Sequence, residues 1–306
     1  MDKAIDKSRP RLGVSARLIH HNPILVCGAP RTATSWTAKA LSLATNIRYI
    51  REPLSHGGYA SGAKLEGFEY LVAEDHSPEY EAVWNKVLSL QPFFGRRWLM
   101  QHSGSVLHRV PIWPARLLIK EVNCPLALDW LSKHFPFQIV ITIRHPCGYV
   151  ASSLRLEGVG HEAISFERLI AQPRLMSLFS DDDQDWIKNL VDPIERSAAA
   201  FGIVYKILGE QLTRHPEWTL IFHKNMCEAP AEAFSRLYEA VGITPNRRLF
   251  DFLKQSSTSD DNDLYSLNRV TVDQPFKWKT DLTTAQIDRI AAVIARFRLP
   301  FYRDFA

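Results

Sequence analysis

Two stretches of this chain have the residue types and spacing to hold an anion. In the first, the apolar run Ile24-Leu25-Val26-Cys27 leads through Gly28-Ala29-Pro30 into Arg31-Thr32-Ala33-Thr34-Ser35-Trp36. A turn with one fixed positive charge and three hydroxyls therefore opens a helix near Thr34. The first N–H groups of a helix carry partial positive charge, and hydroxyl donors beside a guanidinium add to it, so a phosphate or sulfate group suits this turn. The plainer description is a strand-to-helix turn in which Thr32 or Thr34 caps the helix. In the second stretch, Arg144-His145-Pro146-Cys147-Gly148-Tyr149-Val150-Ala151-Ser152 follows another apolar run. It places an arginine at the edge of a turn and a serine two helical turns further on, which suits a second phosphate; by itself Arg-His-Pro also makes an ordinary turn.

Five apolar runs read as strands that carry these residues: Ile24 to Cys27, Ile47 to Ile50, Leu117 to Ile119, Gln138 to Ile143 and Thr219 to Phe222. Helical patterns at Ser35 to Ala44, Pro125 to Lys133 and Pro193 to Leu212 separate several of them, the last with Asp192 as N-cap and Pro193 at its first position. The expected fold is α/β, a parallel sheet with both faces covered, whose ligand lies at the carboxyl ends of the strands. Each strand exit carries ionisable residues: Arg31, then Arg51 and Glu52, Lys120 and Glu121, Arg144 and His145, and His223 and Lys224. Charges are common where a chain leaves the core, but five exits dominated by cations favour a ligand with several negative charges.

At 306 residues, 46% hydrophobic and 23% charged, the chain has the make-up of a globular protein. A net charge of +4 is too small to argue for nucleic acid. Cys27, Cys124, Cys147 and Cys227 form no C-x-x-C pair, which fits reduced thiols and a cytoplasmic setting. No run of 18 apolar residues is present to span a membrane. Residues 1–20 form a basic arm compatible with contact at an acidic lipid surface, and residues 21–306 read as one domain. Within that domain, residues 55–115 are expected to form a helical cap over the acceptor, and residues 256–280 a loop closing over a nucleotide before a final helix that begins with a Thr283/Gln286 capping box. The acidic run Asp181-Asp182-Asp183-Gln184-Asp185 reads as a solvated face or loop.

The first turn is not that of a P-loop NTPase, because Thr34-Ser35 stands where Lys-Ser/Thr would follow. Together the two anion stretches resemble the sulfotransferases that use 3′-phosphoadenosine 5′-phosphosulfate (PAPS), whose phosphosulfate loop runs P-[KR]-S-G-T-[TS]-W. Pro30 to Trp36 matches with Thr32 for Ser and Ala33 for Gly, and Arg144, Pro146 and Ser152 meet the spacing of that family's 3′-phosphate motif. Ile221 to Met226 and Lys277-Trp278-Lys279 resemble two further segments of the family, which extends the likeness over most of the chain.

The resemblance implies a P-loop-like parallel sheet and transfer of a sulfuryl group from PAPS, with PAP as product and no metal. The implied acceptor is a hydroxyl or amine of a small molecule, a carbohydrate or a lipid-linked acceptor. It implies that Arg31, Thr32, Ala33, Thr34, Ser35, Trp36, Arg144, Ser152, His223, Lys277 and Trp278 bind the nucleotide, Trp36 near the adenine. Arg31 and Lys120 fall to the bridging oxygen of the donor. The histidine base of small-molecule relatives is replaced by Val122; Glu52, at the end of the second strand, resembles the glutamate used by carbohydrate and tyrosyl-protein sulfotransferases, which implies Glu52 as the base, with Glu121 in reserve. The alternatives are a small-molecule kinase of P-loop type and a nucleotide-binding protein without catalysis.

Overall fold

The computed structural model describes residues 22–55, 67–89, 115–158, 160–258 and 273–302. Strands β1 (Ile24–Cys27), β2 (Ile47–Arg51), β3 (Arg116–Lys120), β4 (Gln138–Ile143) and β5 (Thr219–Phe222) form one sheet in the order β2-β3-β1-β4-β5, every pair parallel. Successive residues of a strand point to opposite faces, and here both faces are apolar. Leu25 and Cys27 of β1 join one core, whereas Ile24 and Val26 join the other.

The helices that cover these faces are α1 (Thr34–Leu41), α2 (Pro78–Leu88), α3 (Leu128–His134, entered through a 3₁₀ turn at Pro125–Ala127), α4 (Pro146–Glu157), α5 (Phe166–Ile170), α6 (Pro173–Met176), α7 (Asp181–Lys188), α8 (Pro193–Arg214), α9 (His223–Glu228), α10 (Pro230–Ala240), α11 (Arg247–Thr258), α12 (Trp278–Asp281) and α13 (Thr284–Phe297). The larger core gathers the buried side of α8, with Phe201 and Tyr205, against α4 and α13. Gly202 is required there, since a Cβ at that position would lie 2.3 Å from the Phe297 ring. The smaller core packs α1 against α10 and α11.

The strand assignments hold to within one residue at each end. Asp192 caps α8 through the N–H groups of Ile194 and Glu195, and Thr283 and Gln286 form the expected capping box. α1 ends at Leu41 rather than Ala44, because the Ser42 hydroxyl turns back to Lys39 O and the chain swings through Asn46 at φ 60°. The acidic run is the first turn of α7, capped by Ser180, where three aspartates complement the helix dipole and Asp183 pairs with Arg296. The described part of the 55–115 segment includes α2, whose Tyr80, Val83, Trp84 and Val87 are buried in the larger core. The basic arm, most of that proposed cap (56–66 and 90–114) and residues 259–272 of the closing loop lie outside the described residues.

β1 is central, and the chain leaves it toward β2 on one side, while from β4 it continues to β5 on the other. The crevice where these directions part lies at the carboxyl ends of β1 and β4, which is where open parallel sheets bind ligands. Among the described residues no helix is long and apolar enough to cross a membrane.

Candidate active site

The loop after β1 is built on its own polar contacts. The Thr32 hydroxyl is fully buried; it donates to Ala29 O (2.6 Å) and lies 2.8 Å from Thr142 Oγ1. Tyr205 supports the same point from α8, donating to Thr142 O at 2.8 Å. Gly28, at φ 147°, admits no side chain, since a Cβ would meet Thr142 Oγ1 at 2.5 Å. Thr32 therefore shapes the loop from beneath, with its hydroxyl engaged by Ala29 and Thr142.

Arg31 and Ala33 both lie in the left-handed region, at φ 67° and 70°. Such a backbone lines up successive N–H groups into an anion-binding concavity, and left-handed non-glycine residues concentrate at functional sites. Ala33 is the N-cap of α1, and no side chain caps that helix. The capping reading of Thr32 or Thr34 thus fails. Thr34 is buried in the first turn and Ser35 is partly exposed beside it.

The two anion stretches converge. Arg144 Nη1 donates to Arg31 O at 2.8 Å, and Arg31 Nε donates to Ser152 Oγ at 2.9 Å. Burial and the charge of Arg31 pull the Arg144 guanidinium down to about 10. Among the described residues Arg144 has no carboxylate within ion-pair distance. Two guanidiniums held together in a half-buried crevice repel each other, and an anion between them relieves that repulsion. Gly148 leaves room for this arrangement, with Arg144 Nε 3.1 Å from where a Cβ would be.

Around Arg144 the aromatic and imidazole groups are neutral. Burial and the Arg144 charge hold His223 well below its ordinary value, with its Nε2 3.5 Å from Cys227 Sγ. His145 caps α4 by accepting from Cys147 N, and it is lowered to about 4 by burial, Arg144 and Lys279. Its ring stacks on Trp278 at 4.5 Å and 7°. Trp278 in turn donates to Pro275 O, and Asp281 pairs with Arg155. The 273–281 segment, with Lys277 half-buried at the start of α12, is thereby docked on α4 next to Arg144. Trp36 is only 7% exposed; it donates to Ser256 Oγ at 3.1 Å and packs edge-on against Phe234.

On the other side of β1, the register of Arg51 against Lys120 brings Glu52 to the Lys120 ammonium, which donates to Glu52 Oε1. Lys120 is 3% exposed and does not reach out to water. Glu121 is fully buried, with burial raising its carboxyl above the usual range, and both its oxygens accept backbone N–H groups. Sequence reasoning missed this contact of Glu121 with Leu54, the His145–Trp278 stack and the role of Thr142. Only Thr142 left a signal, as a hydroxyl in the otherwise apolar interior of β4.

No protein-family profile matches the sequence, and no curated protein does. Among solved structures, the sulfotransferase domain from the curacin biosynthetic pathway matches with a TM-score of 0.51 at 14% identity, over 90% of this chain and 98% of that one. The fold is a sulfotransferase fold. Two further structures align with lower scores. The sulfotransferase domain of the Synechococcus PCC 7002 olefin synthase gives 0.48 at 13% identity, over 92% of this chain and 96% of that one. Mouse sulfotransferase SULT7A1 complexed with PAP gives 0.44 at 13%, over 93% and 88%. In this sulfotransferase fold the P-loop-like sheet carries the Arg31 loop on β1 and the Arg144 turn on β4.

Proposed function

We propose that this protein is a PAPS-dependent sulfotransferase that acts on a hydroxyl or amine of a small-molecule, carbohydrate or lipid-linked acceptor. The observation that carries the reading is the convergence of Arg31 and Arg144 through the Arg144–Arg31 O and Arg31–Ser152 contacts. A molecule with anionic groups at two separate positions suits two arginines that arrive from two strand exits, one beside a helix start without a side-chain cap. PAPS is such a molecule, and it supplies an activated sulfuryl group on a phosphate leaving group.

Arg31, Ala33, Thr34 and Ser35 would hold the phosphosulfate end, and Arg144 and Ser152 the 3′-phosphate. His223, Trp36, Lys277 and Trp278 would surround the nucleoside. Arg31 stabilises charge on the departing oxygen with a fork of donors and keeps its own proton. Lys120 stands on the adjacent strand with its ammonium on Glu52, and Glu52 takes the proton of the acceptor hydroxyl. Buried carboxylate Glu121 has its oxygens occupied by backbone donors, which favours Glu52 as the base. The four cysteines are free and buried, in keeping with the reducing environment of the cytoplasm.

The test is incubation with sulfur-35 PAPS and a panel of alcohols, phenols, sugars and amines, with EDTA present. Labelled product that is lost in Arg31→Ala supports the reading. Transfer that depends on added magnesium and uses ATP instead would replace it with the kinase alternative.

A further inference from the structure

Glu121 is not the proposed base, yet its carboxylate holds the turn that begins at Glu52. Its Oε1 accepts from Val122 N (2.8 Å), Asn123 N (2.9 Å) and Asn123 Nδ2 (2.8 Å), and its Oε2 accepts from Leu54 N at 2.7 Å. Leu54 belongs to the turn that starts at Glu52. Glu52 N donates to Lys120 O, and Ser55 returns its N–H and its hydroxyl to Glu52 O at 3.1 and 2.7 Å. Glu52 itself lies at φ 47°, a conformation that a non-glycine side chain keeps only when its surroundings impose it. The turn is therefore fixed at two points: the β3 backbone at Glu52 and the Glu121 carboxylate at Leu54. The 121–123 turn also accepts Phe68 N at Asn123 O (2.7 Å), so one buried carboxylate organises the chain on both sides of residues 56–66.

We infer that Glu121 is a positioning residue: its carboxylate fixes the 52–55 turn and thereby holds the Glu52 carboxylate against Lys120 at the reacting end of the crevice. The inference rests on the reading of Glu52 as the base. A group that acts through another must lose its effect when that other is gone, and a buried carboxylate with four donors is hard to replace by a neutral amide, which cannot accept from all of them. A displacement of about 1 Å at a reacting group costs on the order of 100-fold in rate.

The experiment compares Glu121→Gln, Glu52→Gln and the double variant in the full chain. Turnover is followed as PAP release from PAPS with water as acceptor, PAP affinity by titration, and stability by thermal unfolding. The expected result is a fall in kcat of about 10- to 100-fold for Glu121→Gln with PAP affinity kept. The double variant should then be no slower than Glu52→Gln, and its fall in Tm should be smaller than the sum of the two single falls. Asn123→Ala, which removes one donor and leaves the carboxylate, should show the same pattern in weaker form if Glu121→Gln does not fold. Rates that multiply and Tm losses that add in the double variant overturn the inference. So does an active Glu52→Gln beside an inactive Glu121→Gln, which would make Glu121 the base. Failure of the wild-type chain to bind PAP would instead overturn the sulfotransferase reading on which the inference depends.

Discussion

Arg144 donates to the main-chain carbonyl of Arg31, 113 positions earlier in the chain. This contact ties the turn after β4 to the loop after β1, and Arg31 returns the tie by donating to Ser152 on α4. The charge of Arg31 consequently acts on the Arg144 guanidinium, and Thr32 of the same loop is held by Thr142 of β4. The division of work between the two arginines leads to the first prediction.

Arg31→Ala should lower kcat by about 100- to 1,000-fold, the usual effect of removing a donor aimed at developing charge. Arg144→Ala should chiefly raise KM for PAPS, by about 10- to 100-fold, the loss of a charge-assisted hydrogen bond of about 1.5–3 kcal/mol to a group remote from the reaction. Steady-state kinetics at varied PAPS separates the two. An Arg144→Ala enzyme with reduced kcat and an unchanged KM would contradict the assignment.

Glu52→Gln should reduce turnover by about 100- to 10,000-fold, the range of a positioned general base. It also leaves the Lys120 ammonium, 3% exposed, facing a neutral amide, so we expect a loss of about 1–3 kcal/mol in urea unfolding. PAP affinity should be unaffected.

Ala33→Gly should not show the usual penalty for glycine. An L-residue in the left-handed region costs about 1–2 kcal/mol, and Ala33 is at φ 70°. Glycine removes that strain, against about 0.4–1 kcal/mol of extra freedom in the unfolded chain. The Tm should stay level or rise. Gly28→Ala should behave in the opposite way, because its Cβ would lie 2.8 Å from Thr142 O and 2.5 Å from Thr142 Oγ1. Loss of both PAP binding and stability is expected there.

Acid should weaken the fold before the carboxylates titrate. His145 is neutral in the native state, lowered to about 4 first by burial and then by Arg144 and Lys279. The unfolded chain takes up this proton near pH 6.5 and the native state only near pH 4, so stability is complete above 6.5 and falls between the two. The full span corresponds to about 3 kcal/mol at most for this one residue. His223, lowered in the same direction, adds to it. Urea midpoints at pH 7.5 and 5.0 measure the effect. In His145→Asn, which can still cap α4, the difference should shrink; an unchanged difference would contradict the role of His145.

The sheet was legible because a parallel sheet covered on both faces demands continuous apolar runs, and runs such as Leu117 to Ile119 are hard to place elsewhere. Asp192-Pro193 and Thr283-x-x-Gln286 were legible because capping is a local matter. Contacts that depend on register were not. Nothing near Lys120 or Glu52 says that they meet, since their pairing follows from Arg51 lying opposite Lys120 across β2 and β3. Nor does anything near Trp36 say that Phe234 and Ser256, some 200 positions away, pack against it. The left-handed backbone at Arg31, Ala33 and Glu52 was likewise hidden, because none of these residues is glycine and residue type gives no hint of positive φ. Glu121 was read as a reserve base for the same reason: its four donors come from a fold the sequence does not display.

The most direct test of the sulfotransferase reading is a thermal shift with 3′,5′-ADP (PAP) against 5′-ADP, each with EDTA. A ligand that binds only the folded chain raises its Tm by mass action. Two arginines placed for two separate anionic groups predict a clear rise with PAP, a smaller one with 5′-ADP, and loss of that preference in Arg144→Ala. Equal rises with both nucleotides, or none with PAP, would contradict the account.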